Sequence, residues 1–340
     1  MSLYTLRNAA GMEVKITNYG GTITQIHVKD RNGKFGDVVL GFKDLSGYTS
    51  SKNTSYFGAL IGRYGNRIAG GTFKIGDTTY HIPINEKERN TALHGGLHGF
   101  NTKVWDVRSS GERNGQPTLV LHYLSPDGEE GFPGNLDVTV TYSITRDNGL
   151  KIEYRAKTDK PTVVNLTNHT YFNLQGPGHT AMDHMLMIAA DRYTPVNANL
   201  IPTGVLAPVK GTPFDFTSLR RIGDRINDDN EQLKYAGGYD QNWVLNSGGN
   251  PAVPSARVEE PVTGRVMEVF TAEPGIQFYS GNFLDGSIEG IGGRYEKRSA
   301  ICLETQHVPD SPNHPDFPST LVKPGIDYHT ITIYRFSTKK

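Results

Sequence analysis

The 340-residue chain holds a single cysteine, Cys302. One thiol excludes an internal disulfide, and no CxxC pair exists to build a cysteine site for zinc. Inside the apolar run Ala300–Leu303, this thiol reads as a small core residue rather than a nucleophile. Net charge is also missing, because 35 basic residues balance 35 acidic ones. Without a basic excess there is little to displace counterions from phosphates, so nucleic acid is not an expected partner. The same neutrality removes any electrostatic reason to sit on an anionic membrane. Long apolar runs are absent as well. The longest, such as Met185–Ala190, are strand-sized and far short of the ~20 residues that span a bilayer. The opening MSLYTLRNAAGMEV has no apolar core of signal-peptide length, so the chain as it stands is expected in the cytoplasm. A chain trimmed of a leader would read the same way and be secreted or periplasmic.

What the sequence does hold is turns. Glycine is 39 of 340 residues, above the typical ~7%. Between the turns lie short segments of β character. Met12–Asn18 and Gly21–Val28 alternate apolar and polar, and Asn32-Gly33 offers a hairpin turn before Asp37–Phe42. Gly76-Asp77 separates Thr72–Ile75 from Thr78–Ile82, and Asn148-Gly149 leads into Lys151–Lys157, with Thr162–Leu166 as the next strand segment. Some fifteen such segments at spacings near 8–12 residues predict a sandwich or barrel system. Helical periodicity is confined to Thr217–Tyr235, where Thr217 is an N-cap candidate and one or two short helices fit. No fixed-period repeat, linker or βαβ alternation appears, so one all-β domain over 1–340 is expected.

Several polar residues stand where a strand or its end should be apolar. Val163–Leu174 (VVNLTNHTYFNL) sets His169 and three asparagines among apolar and aromatic neighbours. Glu304 ends the apolar run that contains Cys302, although Glu is rarely buried unpaired. His94 stands against Gly95-Gly96, which permits close approach to its backbone. Asp240 lies in the aromatic-flanked GYDQNW, and Asn66-Arg67 adds an amide and a guanidinium. Each has an ordinary alternative: a hydrogen-bonded structural histidine, an Asx-turn aspartate, a solvated arginine. Together they suit three chemistries. A metal site would use the imidazoles and carboxylates, but no pair has suitable ligand spacing. A glycoside hydrolase would use Asp240 and Glu304 across the scissile bond. A proton-transfer enzyme would use Glu304 with a histidine. Spacing leaves all three open.

At these residues the chain closely resembles the aldose 1-epimerase (galactose mutarotase) family. The matching strings are GRYGNRIAGGTF (Gly62–Phe73), LHGGLHGF (Leu93–Phe100) and NLTNHTYFNL (Asn165–Leu174). They continue with GGYDQNWVL (Gly237–Leu245), EPGIQFYSGNFL (Glu273–Leu284) and CLETQHVPDSPN (Cys302–Asn313). Six ordered strings span most of the chain. The resemblance implies a large antiparallel β-supersandwich with few short helices, and cofactor- and metal-independent interconversion of the α and β anomers of free aldohexoses such as galactose and glucose. By match to the family's motifs, Glu304 resembles the base that takes the anomeric hydroxyl proton, and His169 the acid that protonates the ring oxygen. His94 resembles the second histidine, near the ring oxygen. Arg67 with Asn66, and Asp240, resemble the groups holding the remaining hydroxyls, with a bidentate grip expected of Arg67. Gln277 and Tyr279 fall in a binding-loop position. The partner implied is a monosaccharide, met by a monomer or weak homodimer. Two rival functions remain. A hexose-6-phosphate 1-epimerase would need more than one arginine for the phosphate, and a non-catalytic carbohydrate-binding protein would have no use for both Glu304 and His169.

Overall fold

The computed structural model describes residues 1–50 and 55–340 of the chain. Three antiparallel sheets carry most of the regular structure. The largest has nine strands, in the spatial order Asp106–Arg113, Gln116–Ser125, Leu136–Ile144, Gly149–Thr158, Tyr328–Thr338, Arg265–Thr271, Ala256–Glu259, Met185–Ile188 and Arg220–Arg221. A six-stranded sheet runs Tyr171–Phe172, Ile301–Gln306, Gly275–Tyr279, Asp240–Val244, Arg192–Thr194 and Ala207–Pro208. A four-stranded meander is built by Leu3–Arg7, Glu13–Thr17, Thr22–Lys29 and Phe35–Asp37. One buried cluster joins all three, with Ile16 and Ile23 from the meander, Val140 and Tyr142 from the large sheet, and Trp243, Phe278 and Leu303 from the six-stranded sheet. The expected sheet architecture is therefore observed. Among the described residues, no helix is long and apolar enough to cross a membrane.

Local turn chemistry explains the hairpins. Gly76, at φ +57°, closes Thr72–Ile75 onto Thr78–His81, with Ile75 paired to Thr78. Asn148 at φ +60° turns Leu136–Ile144 into Gly149–Thr158, a left-handed position that asparagine tolerates. Three expectations need correction. Asp37–Phe42 is a strand only at its start, since Phe35–Asp37 pairs with Thr22–Lys29 and Val39 makes a single bridge to Phe172. Thr162–Leu166 is a strand only over Thr162–Val163. Thr217 caps no helix: its hydroxyl and amide both turn onto Asp215. The helix in that region is Glu231–Ala236, capped by Asn230, which accepts from the Gln232 amide at 2.9 Å. A second helix, Leu45–Thr49, is capped by Asp44.

The alternation of strands fixes what the six-stranded sheet shows to each side. From Ile301–Gln306, Leu303 and Thr305 turn to the large sheet, where Tyr334 donates to the Leu303 carbonyl at 2.8 Å and the Thr305 and Thr332 hydroxyls meet at 2.5 Å. Cys302 and Glu304 must then point the other way. The register places Gln277 opposite both Glu304 and Asn242, and Tyr279 opposite both Cys302 and Asp240. One face of the sheet is thus polar, and it is the floor of a cleft.

Beside that cleft the chain depends on a buried cation. Arg63 donates to the carbonyls of Pro133 and Gly134, both at 2.9 Å, and to Ser125 Oγ at 2.6 Å. Burial lowers its pKa to about 10, against the pull of Glu129 and Asp127. An Arg63→Ala chain would leave several buried acceptors unpaired, at about 1–3 kcal/mol for each. We expect its urea midpoint to fall by an amount worth about 3 kcal/mol or more; an unchanged midpoint would contradict this assignment.

Candidate active site

The cleft has a volume of about 1140 Å³, and its inner wall includes Asn66, Arg67, His94, His169, Asp240 and Glu304. Tyr279 also lines it. Gln277 does not reach the wall; it lies behind Asp240 and donates from Nε2 to Asp240 Oδ1 at 2.8 Å. The sequence candidates therefore converge on one place, with Gln277 as the support of another.

The backbone that carries each side chain is tied to a neighbouring segment. His169 follows the short strand Thr167–Asn168; its amide donates to the Ala59 carbonyl and its carbonyl accepts from the Gly58 amide, both at 3.0 Å. His94 sits at φ +53°, and Asn66 at φ +63°. The two residues lock together: the His94 amide donates to the Asn66 carbonyl at 3.1 Å, and the Asn66 amide donates to His94 Nδ1 at 3.1 Å. Gly95 is required beside them, because a Cβ there would lie 2.0 Å from the Gly62 carbonyl oxygen.

His169 Nε2 lies 3.7 Å from Glu304 Oε1. Both side chains are buried, at 6% and 2% exposure. The imidazoles of His94 and His169 meet edge to face, with ring centres 5.2 Å apart. Behind His169, the Cys302 sulfur is 3.6 Å from Nδ1. Burial drives the titrations apart from their ordinary values. Glu304 is pushed well above the carboxylate range by burial and by the charge of Asp240, against the pull of Arg67. His169 is lowered to about 4 by burial. His94 falls well below its usual value through burial, with His169 and Arg67 adding to the effect. The Cys302 thiol rises well above its ordinary value, again through burial first, so it stays protonated and inert as expected of a core residue.

Arg67 differs from expectation. Its Nε and Nη2 are bonded to the two oxygens of Glu86 at 2.8 and 3.1 Å. The fork expected to grip a pair of sugar hydroxyls is therefore occupied, which leaves Nη1, 3.8 Å from Asp240 Oδ2. Burial would lower the Arg67 pKa, but Asp240 and Glu86 outweigh it and hold the guanidinium charged. Asp240 is raised by burial, against Arg67 and Gln277. Two further wall residues carried no signal in the sequence. Tyr56 packs its ring 4.7 Å from that of His94, and Glu86 belongs to a charged stretch that reads as a solvated loop.

The donor atoms of His94, His169 and Glu304 lie within 4.8 Å of one another, so a metal must be considered. The Asn66 amide already occupies the lone pair of His94 Nδ1. In a neutral ring the proton is then on Nε2, and neither nitrogen keeps a free lone pair for a cation. The chemistry that fits better is proton transfer between an acid and a base on one small ligand with several hydroxyls.

A mostly antiparallel supersandwich whose polar sheet face carries this acid–base cluster defines a class. The sequence model of the aldose 1-epimerase family matches residues 2–335, and the chain belongs to that family of isomerases. Among particular relatives, it is 47% identical to the galactose mutarotase of Mus musculus over 331 residues, covering 96% of this chain and 91% of that one. It is 37% identical to the aldose 1-epimerase of Escherichia coli over 336 residues, covering 98% and 94%. The crystal structure of an aldose epimerase homologue from C. elegans superposes with a TM-score of 0.88 at 28% identity, covering 100% of this chain and 99% of the other.

Proposed function

We propose that this protein is an aldose 1-epimerase that interconverts the α and β anomers of free aldohexoses such as galactose and glucose. The observation that carries the reading is the His169–Glu304 pair, buried at 3.7 Å in the wall of the cleft. The pair shares one proton, and mutarotation needs one. In the reactive form Glu304 is a carboxylate and His169 an imidazolium. Glu304 takes the proton from the anomeric hydroxyl while His169 Nε2 gives its proton to the ring oxygen. The bond between the anomeric carbon and the ring oxygen breaks, and the sugar becomes an open-chain aldehyde with a free hydroxyl. The pair is left as a carboxylic acid and a neutral imidazole. Rotation about one bond presents the other aldehyde face, and reclosure reverses both transfers. Proton count is unchanged throughout, so no cofactor is consumed and no covalent intermediate forms. Burial favours the uncharged form of the pair in the free protein, which makes Glu304 a stronger base whenever it is ionised.

Hydroxyl recognition falls to His94 through Nε2–H, to Arg67 Nη1 and to Asp240, with Asn66, Gln277 and Tyr279 in support. An Asp240→Asn variant should raise KM by about tenfold, as expected for one charge-assisted hydrogen bond, with a smaller change in kcat. A large loss in kcat at constant KM would reassign Asp240. The inner guanidinia, Arg67 and Arg89, are both paired with Glu86, which favours an uncharged hexose over its 6-phosphate. We also propose that a monomer or weak homodimer suffices. We place it in the cytoplasm, as one domain, with neither nucleic acid nor a membrane as partner. Exchange between the two anomeric proton signals of galactose, followed by NMR, tests the reading. Catalytic amounts of protein should accelerate it, and galactose 6-phosphate should respond far less.

A further inference from the structure

Glu86 is the centre of an alternating chain of charges along the cleft. Its Oε2 accepts from Arg67 Nε and from the Thr91 hydroxyl, both at 2.8 Å. Its Oε1 accepts from Arg67 Nη2 at 3.1 Å and from Arg89 Nη1 at 2.6 Å. Beyond Arg67 lies Asp240, whose Oδ2 is 3.8 Å from Nη1, outside hydrogen-bond reach. Arg67 is thus placed between two carboxylates and fully bonded to only one of them. A guanidinium released from Glu86 has an obvious place to go: a short swing would close it on Asp240 as a direct ion pair. That pair would occupy the carboxylate offered to sugar hydroxyls and withdraw Nη1 from the cleft.

We propose that Glu86 is a positioning residue for sugar binding, which holds the Arg67 fork so that Nη1 and the Asp240 carboxylate both remain open to hydroxyls. This rests on the epimerase reading for the identity of the ligand. Thr91 and Arg89 fix Glu86 in turn, so three residues away from the reacting atoms set the geometry of the two that grip the sugar. The effect is on recognition, because neither Glu304 nor His169 is bonded to this chain.

The test is Glu86→Gln, which keeps the shape but removes the charge and one acceptor. Equilibrium dialysis of labelled galactose reports binding without turnover, and the kcat and KM of mutarotation are read alongside. The expected result is a rise in both Kd and KM of about tenfold or more, as for loss of a bond between charged groups. The expected kcat stays within a small factor of wild type, so that the loss falls on Kd and KM. Unchanged Kd and KM, or a loss confined to kcat, would overturn the proposal while leaving the epimerase reading intact. Wild-type binding without turnover would overturn the epimerase reading, and the dialysis would still decide the role of Glu86. Wild type that neither binds nor turns over galactose would overturn both. If Glu86→Gln fails to fold, Thr91→Val serves instead: it removes one bond to Glu86 from outside the cleft, and should raise Kd and KM in the same sense by a smaller factor.

Discussion

Glu304→Gln should reduce kcat by about 10³-fold or more, the upper range for a positioned general base, while the protein folds normally and still binds galactose. Glutamine is close in size, and its oxygen can accept from the anomeric hydroxyl, but it cannot take the proton. The buried position makes the substitution mild for stability. Glu304 Oε2 has no hydrogen-bond partner among the described residues, and the side chain bears the combined load of burial and the Asp240 charge. Glutamine is neutral in the folded and unfolded chain alike, so folding no longer has to protonate or desolvate a carboxylate there. A melting temperature equal to or above that of wild type is therefore expected together with the lost turnover. Near wild-type kcat would remove Glu304 from the role of base.

The second large effect concerns His169. His169→Asn should reduce kcat by about 10²-fold or more, and the wild-type pH profile should reveal why. The active form carries one proton on the His169–Glu304 pair, so the pair, rather than either residue, titrates. On the acid side, activity is lost when a second proton arrives. An ordinary histidine would accept it near pH 6.5, but burial lowers His169 to about 4. The acid limb of kcat/KM should therefore lie well below 6.5, with activity retained through pH 5.5. On the alkaline side, activity is lost when the single proton leaves. Because Glu304 is raised, that limb should lie well above the carboxylate range. An acid limb centred on 6.5 would mean that His169 is hydrated like a surface imidazole, and the burial account would fail. In His169→Asn the residual activity should lose this acid limb.

Much of the fold was legible because its signals are local. Gly76-Asp77 closes a hairpin with residues that carry their own turn preference, and the alternation is kept over Glu13 to Ile16 and over Thr24 to Lys29. Segments whose structure is set by a distant partner are less legible. Val38, Val39 and Leu40 are fully buried, and the backbones of Val38 and Leu40 bond to Ile26, Asn173 and Tyr171, yet only Val39 among them forms a β-bridge, so an apolar run that reads as a strand is mostly irregular. The helix Leu45–Thr49 is only five residues long, too short for helical periodicity to appear. In the site, Glu304 and His169 were visible as polar residues within apolar runs, a contrast the sequence records. Glu86 was not. It lies in Asn85-Glu86-Lys87-Glu88-Arg89, where charge reads as solvent exposure; Thr91 meets it through a local bridge, but only the tertiary fold brings Arg67 onto it. Gln277 was visible by resemblance, but its place behind Asp240 follows from a strand register set by neighbours distant in sequence.

The most direct measurement is polarimetry of freshly dissolved α-D-galactose, with and without catalytic amounts of the protein in the same buffer. Optical rotation should decay faster to an unchanged end value, with no such acceleration by an equal amount of folded Glu304→Gln. Decay at the uncatalysed rate in the presence of folded wild-type protein, or equal acceleration by both proteins, would contradict this mechanism.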